Sequence, residues 1–412
     1  MKKGVMICLL ALFFSQLYSL AFADDAEVLP KGVFRLGVET EFYFPVEERY
    51  NPDGDVEDVA VDYSKPLDSN VFPDLGLIEQ AFGMPSGSAT VGSSVVSFEY
   101  QFILTDFSLA YGLTDRLTVG IILPYWWQEN KVKAELNNTA ATVGKNAAAN
   151  MLLPLGVPGT VPLTTDDVQN LLGKGLDING DGTVDIPGYG YKRVETWSGS
   201  GIADIQIGAR YQYLKTDKWR LAFTGGVTLP TGEVDEPDNL VDYPFGDGAY
   251  ALLFRMNNDF TGIKRLLLNA TLRYNLILPD KETKRVPDSV DQPITLNKEK
   301  VDRNLGDIFE FEASAKYELA KGFDISALYK YGSKQKDDIS GDKGYAYKSL
   351  EDETDYTEHI FIVGLSYSTV PLYMEKKFSV PFRASLSYRN RFAGSNNVLK
   401  SQYIKAGLQV FF

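Results

Sequence analysis

From about residue 34 to Phe412 the chain returns again and again to a strict alternation of apolar and polar residues. In 34–44, Phe34, Leu36, Val38, Phe42 and Phe44 are separated by Arg35, Gly37, Glu39, Glu41 and Tyr43. In 202–213, Ile205, Ile207, Ala209, Tyr211 and Tyr213 alternate with Asp204, Gln206, Gly208, Arg210 and Gln212. In 309–319, Phe309, Phe311, Ala313, Ala315 and Tyr317 alternate with Glu310, Glu312, Ser314, Lys316 and Glu318. Successive side chains of a strand point to opposite faces, so each segment is a strand with one apolar and one charged face. The pattern predicts twelve strands, near 34–44, 97–112, 117–133, 202–213, 219–230, 248–260, 265–279, 309–319, 323–334, 357–369, 378–392 and 399–412. Several exceed the roughly 5–6 residues of a typical soluble strand. Ten or more residues is the length of a tilted strand that crosses a bilayer.

The connections alternate as well. Short ones fall at 113–116, 215–218, 261–264 and 320–322, with a longer turn at 370–377. Long ones fall at roughly 45–96, 134–201, 231–247, 280–307 and 335–356, and only the last, 393–398, is short. This asymmetry predicts an all-β fold: a transmembrane antiparallel up-and-down β-barrel of about twelve strands, with long extracellular loops and short periplasmic turns. An even strand count puts both termini on the periplasmic side. An exported soluble β-sandwich would alternate too, with its apolar face inward. One segment changes phase: Phe98, Tyr100, Phe102 and Leu104 are even-numbered, whereas Phe107, Leu109 and Tyr111 are odd. A β-bulge near Thr105–Asp106 would account for it, and would mark a candidate sideways opening in the wall.

Residues 1–23 carry Lys2 and Lys3, an apolar run from Val5 to Phe14, and Ala21-Phe22-Ala23. That is the pattern of a secretory signal peptide, leaving 24–412 as the barrel and placing it in the bacterial outer membrane. The chain ends Gln409-Val410-Phe411-Phe412. An aromatic residue closing the final strand resembles the signal that the barrel-assembly machinery reads, so Phe412 is its expected contact. The other expected partners are outer-membrane lipid and a small-molecule solute.

Composition removes several classes of function. With 41 Lys+Arg against 55 Asp+Glu the formal net charge is −14, which disfavours nucleic acid as a partner. One Cys, at position 8, excludes a disulfide framework. One His removes most triads and imidazole general-base schemes. That residue, His359, shares the apolar phase with Phe361, Val363 and Leu365, which makes it a rim residue of the aromatic girdle. The expectation is therefore a protein that is not an enzyme.

In a barrel the polar face is the lumen. It would carry Arg35, Glu39, Glu41, Asp204, Arg210, Arg273, Glu310, Glu312, Lys316, Arg383, Arg389, Arg391 and Lys405. Cations dominate strands eleven and twelve, and Glu39 and Glu41 on strand one face them across the closing seam. Opposed rows of charge in a pore orient polar solutes. Twelve strands lie between about eight, where side chains fill the interior, and about sixteen, where a wide water channel opens. The expected function is passive diffusion of small solutes. The alternatives are a plugged barrel whose loops bind a surface partner, and a barrel sheathing a redox or secretion partner.

Among the long loops, Asp177, Asn179, Asp181, Thr183 and Asp185 match positions 1, 3, 5, 7 and 9 of an EF-hand-type calcium loop, with Gly182 at position 6. Position 12 is Gly188 rather than Glu, which weakens or opens the site. Calcium is the one expected cofactor, and an Asx-turn loop without an ion is the alternative. A short helix capped by Thr165 is predicted through Leu172. Segment 134–163 would either constrict the lumen or cover its mouth.

Three stretches together carry a family resemblance: Ala110-Tyr-Gly-Leu-Thr-Asp-Arg-Leu-Thr-Val-Gly-Ile-Ile-Leu-Pro124-Tyr, Gly199-Ser-Gly-Ile-Ala-Asp204-Ile-Gln-Ile-Gly-Ala-Arg-Tyr, and Val227-Thr-Leu-Pro230-Thr-Gly232-Glu. The chain resembles the meta-pathway of phenol degradation family of outer-membrane barrels, often described as transporters. The resemblance covers roughly 96–130 and 197–412. It implies passage of small, aromatic or hydrophobic molecules across the outer membrane and supplies no catalytic residues.

Overall fold

A computed structural model describes residues 24–412; the expected signal peptide, with Cys8, lies outside the described residues. Twelve strands close into one antiparallel barrel. In chain order they are β1 (Phe34–Tyr43), β2 (Thr90–Thr114), β3 (Leu117–Asn137), β4 (Ile205–Lys215), β5 (Trp219–Leu229), β6 (Ala251–Ile263), β7 (Leu266–Ile277), β8 (Ile308–Ala320), β9 (Phe323–Lys334), β10 (Tyr356–Ser368), β11 (Phe382–Gly394) and β12 (Gln402–Phe411). Each pairs with its neighbour in sequence, and β1 closes on β12 from Arg35↔Phe411 to Tyr43↔Tyr403. Closure leaves no open edge, the condition for crossing lipid with strands.

The lipid-facing side follows from the alternation. Leu36, Phe107, Ile121, Ile207, Phe254, Leu272, Val363 and Leu408 are exposed apolar side chains around the wall. At the short-turn end Phe34, Tyr211, Trp219, Tyr317, Tyr367 and Phe412 form one aromatic girdle. Tyr125, Tyr250, Tyr274, Phe309 and Phe392 form the other. His359 sits in that upper belt, its Nδ1 2.7 Å from the Tyr329 hydroxyl and its ring 6.0 Å from Phe392. Rings with a polar tip suit the level of the lipid headgroups.

Two strands are longer than their sequence pattern suggested. β2 and β3 run 25 and 21 residues and rise above the membrane as one hairpin. The register through Thr105 and Asp106 is unbroken against both neighbours: Glu39↔Asp106 and Thr40↔Thr105 on one side, Asp106↔Pro124 and Thr105↔Tyr125 on the other. The expected bulge is absent. Even-numbered residues face inward from Val96 to Gly112, and the apparent phase change marks a change in what lies inside. Above Asp106 the interior is apolar; below it the interior is polar and the odd-numbered face meets lipid.

β4 is preceded by a separate piece, Trp197–Ile202, and the two are split at Ala203–Asp204. Opposite the split lies Pro124, which has no N–H to give the ladder; its carbonyl accepts from Ala203 N–H at 3.0 Å. The expected start of strand eleven at 378 is instead Phe382, because Val370–Met374 form a helical turn in the connection.

The long loops fold together as a cap. Helices α1 (Leu75–Phe82) and α2 (Thr165–Leu172) belong to it. The α2 N-cap is Thr164, one residue before the predicted position, and it shares a capping box with Asp167. Segment 143–161 forms a small three-stranded sheet within this cap. Val59, Phe72, Leu75, Leu163, Leu171 and Ile294 are among the buried apolar residues that join the loops to the upper, inward side chains of β2 and β3.

Candidate permeation pathway

The lumen has three zones. The uppermost is a column of rings. Tyr63 stands edge-on to Phe98 at 4.7 Å, Phe98 meets Tyr100 at 5.9 Å, and Tyr100 meets Phe102 at 6.0 Å. Phe102 is edge-on to Tyr43 at 5.4 Å, and Tyr43 stacks on Tyr403 at 4.2 Å. Tyr243, from the β5–β6 loop, closes against both Tyr100 and Phe102. The column exists because the even-numbered positions of β2 are aromatic where they lie under the cap.

Below the rings lies a belt of charge in which each glutamate has a cation beside it. Lys405 is 2.8 Å from Glu39 and 3.4 Å from Glu41, and Arg389 is 3.6 Å from Glu41. Arg273 is 3.1 Å from Glu312 and 3.7 Å from Glu310. Lys330 pairs with Glu310, and Arg391 binds Glu358 at 2.8 Å. Glu39, Glu41, Arg273, Glu310, Glu312, Arg389 and Lys405 are buried. At low effective dielectric such pairs require good geometry to offset desolvation. Arg389 also lies over the Tyr403 ring at 5.5 Å, joining the belt to the column.

The third zone is closed by the segment preceding β1. Residues 24–33 turn back into the lumen from the short-turn side. The Asp24 carboxylate pairs with Arg210, and with Arg255 and Arg273 at 3.5 Å each. Its backbone carbonyl accepts from Asn257 and from Thr271 Oγ1 at 3.0 Å. Ala26 N–H donates to Asp259 at 3.1 Å, and Gln212 Nε2 donates to the Ala26 carbonyl at 2.7 Å. Arg210 also donates to the Asp25 carbonyl at 2.7 Å, and Leu29 N–H donates to Thr118 at 2.8 Å. Arg220 links Glu27 at 3.3 Å with Asp259 at 2.9 Å. Beside this segment lies a cavity of about 570 Å³, lined in part by Arg35, Glu39, Arg210, Arg383 and Gln409.

Twelve of the thirteen charged residues expected in the pore thus fall on the inner wall, in the belt or around the lower cavity, with Lys316 3.9 Å from Asp25. Asp204 does something else. Its carboxylate accepts from Gly232 and Asp247 N–H at 2.9 and 3.0 Å, which ties the 231–247 loop over the mouth. In that loop Asp247 is half-buried, and desolvation, with Asp204 nearby, pushes its carboxyl up to about 7. Asp242 is likewise raised to about 7 by burial, with Asp235 adding to the effect.

Sequence reasoning missed the docking of Asp24 and its partners Arg255, Asn257 and Asp259. The available signal was a row of polar residues on β6 with no cross-barrel charge partner. It also missed the ring column, whose signal was the shared parity of Phe98, Tyr100, Phe102 and Asp106.

In the calcium candidate, Asp177 accepts from Gly180 and Gly182 N–H at 2.7 and 2.8 Å. Asn179 accepts from Asp181 N–H, Asp181 from Thr183 N–H, and Asp185 from Ile178 N–H. Among the described residues no three His, Cys, Asp or Glu converge as a metal cluster. Asp177, Asn179, Asp181, Thr183 and Asp185 form a turn built on its own amides. At position 12, Gly188 lies against the Gly173 carbonyl, where no side chain fits.

A family model described as "Putative MetA-pathway of phenol degradation" matches residues 154–400. No curated protein matches in sequence. Among solved structures, the COG4313 outer membrane channel from Pseudomonas putida F1 is similar at 13% identity and a TM-score of 0.51, covering 94% of this chain and 98% of that one. A Pseudomonas aeruginosa FadL homologue aligns at 11% identity and 0.33, covering 95% and 91%. The CymD monoaromatic hydrocarbon channel aligns at 12% and 0.35, covering 93% and 89%. The first shares the fold; the other two are alike in outline only.

Proposed function

The chain belongs to the phenol-degradation family of outer-membrane barrels, and we propose that it is a passive channel for small aromatic solutes. The observation that carries this reading is the ring column from Tyr63 to Tyr403 inside a closed barrel. Offset and edge-on contacts with a ring favour aromatic guests by about 0.5–1.5 kcal/mol each beyond burial. A guest passing between such sites meets similar surroundings at every step and is held strongly at none.

The closed belt and the docked segment 24–33 give this channel a resting state with no wide water path. That suits an outer-membrane protein that admits ring-sized solutes and excludes bulk ions. Proteoliposomes carrying the refolded chain should take up radiolabelled toluene faster than protein-free vesicles, and sucrose no faster. Equal toluene rates would refute the channel reading. A second reading, a permanently shut barrel whose cap holds a surface partner, draws on the same occupied lumen; it predicts neither uptake nor conductance.

A further inference from the structure

The cavity of about 570 Å³ beside the docked segment owes its room to one row of the barrel wall. At a single level the registers align Arg35↔Ala110, Ala110↔Gly120, Gly120↔Gly208, Gly208↔Gly226 and Gly226↔Leu253. All six residues line the cavity. Between Arg35 and Leu253, four neighbouring strands therefore present nothing larger than a methyl group. Strands lie about 4.8 Å apart, so this shelf is roughly 14 Å wide. It accepts the face of a flat ring where ordinary side chains would block one. Leu29, Ile122 and Leu253 add apolar wall around it.

The charges of the cavity are unequally paired. Among its acids, Asp24 has Arg210 and Arg255, Glu27 has Arg220, Glu39 has Lys405 at 2.8 Å, and Asp25 has Lys316 at 3.9 Å. Asp106 forms no ion pair among the described residues, but on β2 it lies roughly 13 Å along the strand from Ala110 and the shelf. Two cations are left over. Arg35 and Arg383 form no ion pair among the described residues, and the Nε of each is buried without a hydrogen-bond partner. Asp25 acts on both, and Glu39 on Arg35, only at longer range. Lys215, also unpaired, is exposed to solvent. Arg383 is level with Gln409 on β12, and Gln409 with Gly37 on β1, so the two free guanidiniums flank β12 and line one cavity.

We propose that this cavity binds a single-ring aromatic carboxylate, with the carboxylate held by Arg35 and Arg383 and the ring on the shelf from Ala110 to Gly226. A guanidinium is a planar fork of donors that matches a carboxylate's two oxygens. The volume lies within the roughly 300–1,000 Å³ usual for small-molecule sites. An inorganic anion would satisfy the arginines and leave the shelf bare; a neutral ring would cover the shelf and leave both charges unpaired. The lining runs on to Tyr373 and Met374, exposed at the short-turn end, so a guest reaches the site from the periplasmic side without passing the cap. The site's place as a station for a transported solute rests on the channel reading, whereas the binding itself does not.

The test is isothermal titration of the full chain, folded in detergent, with benzoate. Binding should saturate, and benzamide, acetate and inorganic phosphate should each bind at least tenfold more weakly. Arg35→Gln and Arg383→Gln should each weaken benzoate binding tenfold or more. Ala110→Phe, which fills the shelf, should do the same and leave acetate binding unchanged. Arg35→Lys keeps the charge without the planar fork and makes the test if both glutamine variants fail to fold. No benzoate binding, equal binding of benzamide or phosphate, or wild-type affinity in the folded arginine variants would overturn the assignment. Toluene uptake by proteoliposomes without benzoate binding would remove the site and leave the channel reading standing. Benzoate binding without toluene uptake would do the reverse.

Discussion

Replacing Asp24 by Asn keeps the shape of the side chain and removes its charge from among Arg210, Arg255 and Arg273. Asp24 is 2% exposed, Arg255 8% and Arg273 1%, so solvent cannot take the place of the lost carboxylate. Breaking a buried pair by removing one partner typically costs ~3–5 kcal/mol, because a charge is left behind without compensation. The main-chain hydrogen bonds of Asp24, Asp25 and Ala26 survive the substitution, so the loss falls on docking of the segment rather than on the barrel wall. At about 1.4 kcal/mol per tenfold, the ratio of undocked to docked forms rises by roughly 10²–10³ or more. Single-channel recording in a planar bilayer should therefore show rare, brief openings in the wild type and long-lived, larger ones in Asp24→Asn. Heat-modified gel mobility would verify that both are folded. Identical traces from folded proteins would refute the reasoning and assign closure to the rings above.

Three further outcomes follow from other zones. Lys405→Met leaves Glu39 and Glu41 buried without their nearest cation and should destabilise the barrel by ~3–5 kcal/mol in urea unfolding; a change under 1 kcal/mol would show that water enters the belt. In the 231–247 loop, Asp242 and Asp247 hold their protons up to about pH 7, whereas an unfolded Asp loses its proton near 4. The folded loop therefore binds more protons between these values, its stability is fullest at the acidic end, and it falls as pH rises from about 4 to about 7. Intrinsic-rate-corrected hydrogen exchange of that loop should report it, and constant protection would count against both carboxyls. Calcium at 177–185, if the loop takes it, should bind no tighter than the millimolar range, since position 12 has no room for a carboxylate; isothermal titration giving micromolar affinity would show that the loop rebuilds around the ion.

The wall of the barrel was legible because each strand repeats one physical requirement, apolar toward lipid and polar toward the lumen, over ten or more residues. Loop length then oriented it. The β2–β3 hairpin was harder, since its upper half obeys a different rule: at Phe98, Tyr100 and Phe102 the inner face is the apolar one. A reading that assumes one environment per strand converts that switch into a bulge. Asp24 was illegible for a further reason. Its partners Arg210, Arg255 and Arg273 come from three strands, and no local pattern records that they converge on one carboxylate.

The order of the zones bears on how closure and passage coexist. An apolar ring gains contacts along Tyr63, Phe98, Tyr100, Phe102, Tyr43 and Tyr403, and then meets the belt of Glu41, Arg389 and Lys405. It can neutralise none of those charges, so entering the belt means separating pairs, which is costly at that burial. Arg389 lies over Tyr403 at this junction. Arg389 also donates to the Tyr403 hydroxyl at 3.1 Å, so an aromatic guest can offer the guanidinium a second ring face but not that hydrogen bond. Arg389 is thus the belt residue that offers an aromatic guest a cation at the foot of the column while it stays beside Glu41. Arg389→Lys retains the charge and loses the planar stacking surface. It should lower stability by about 1–3 kcal/mol through the lost hydrogen bond to Tyr403, with the barrel still folded, and lower toluene uptake severalfold. Unaltered uptake by the folded variant would mean that the guest leaves the column before reaching the belt.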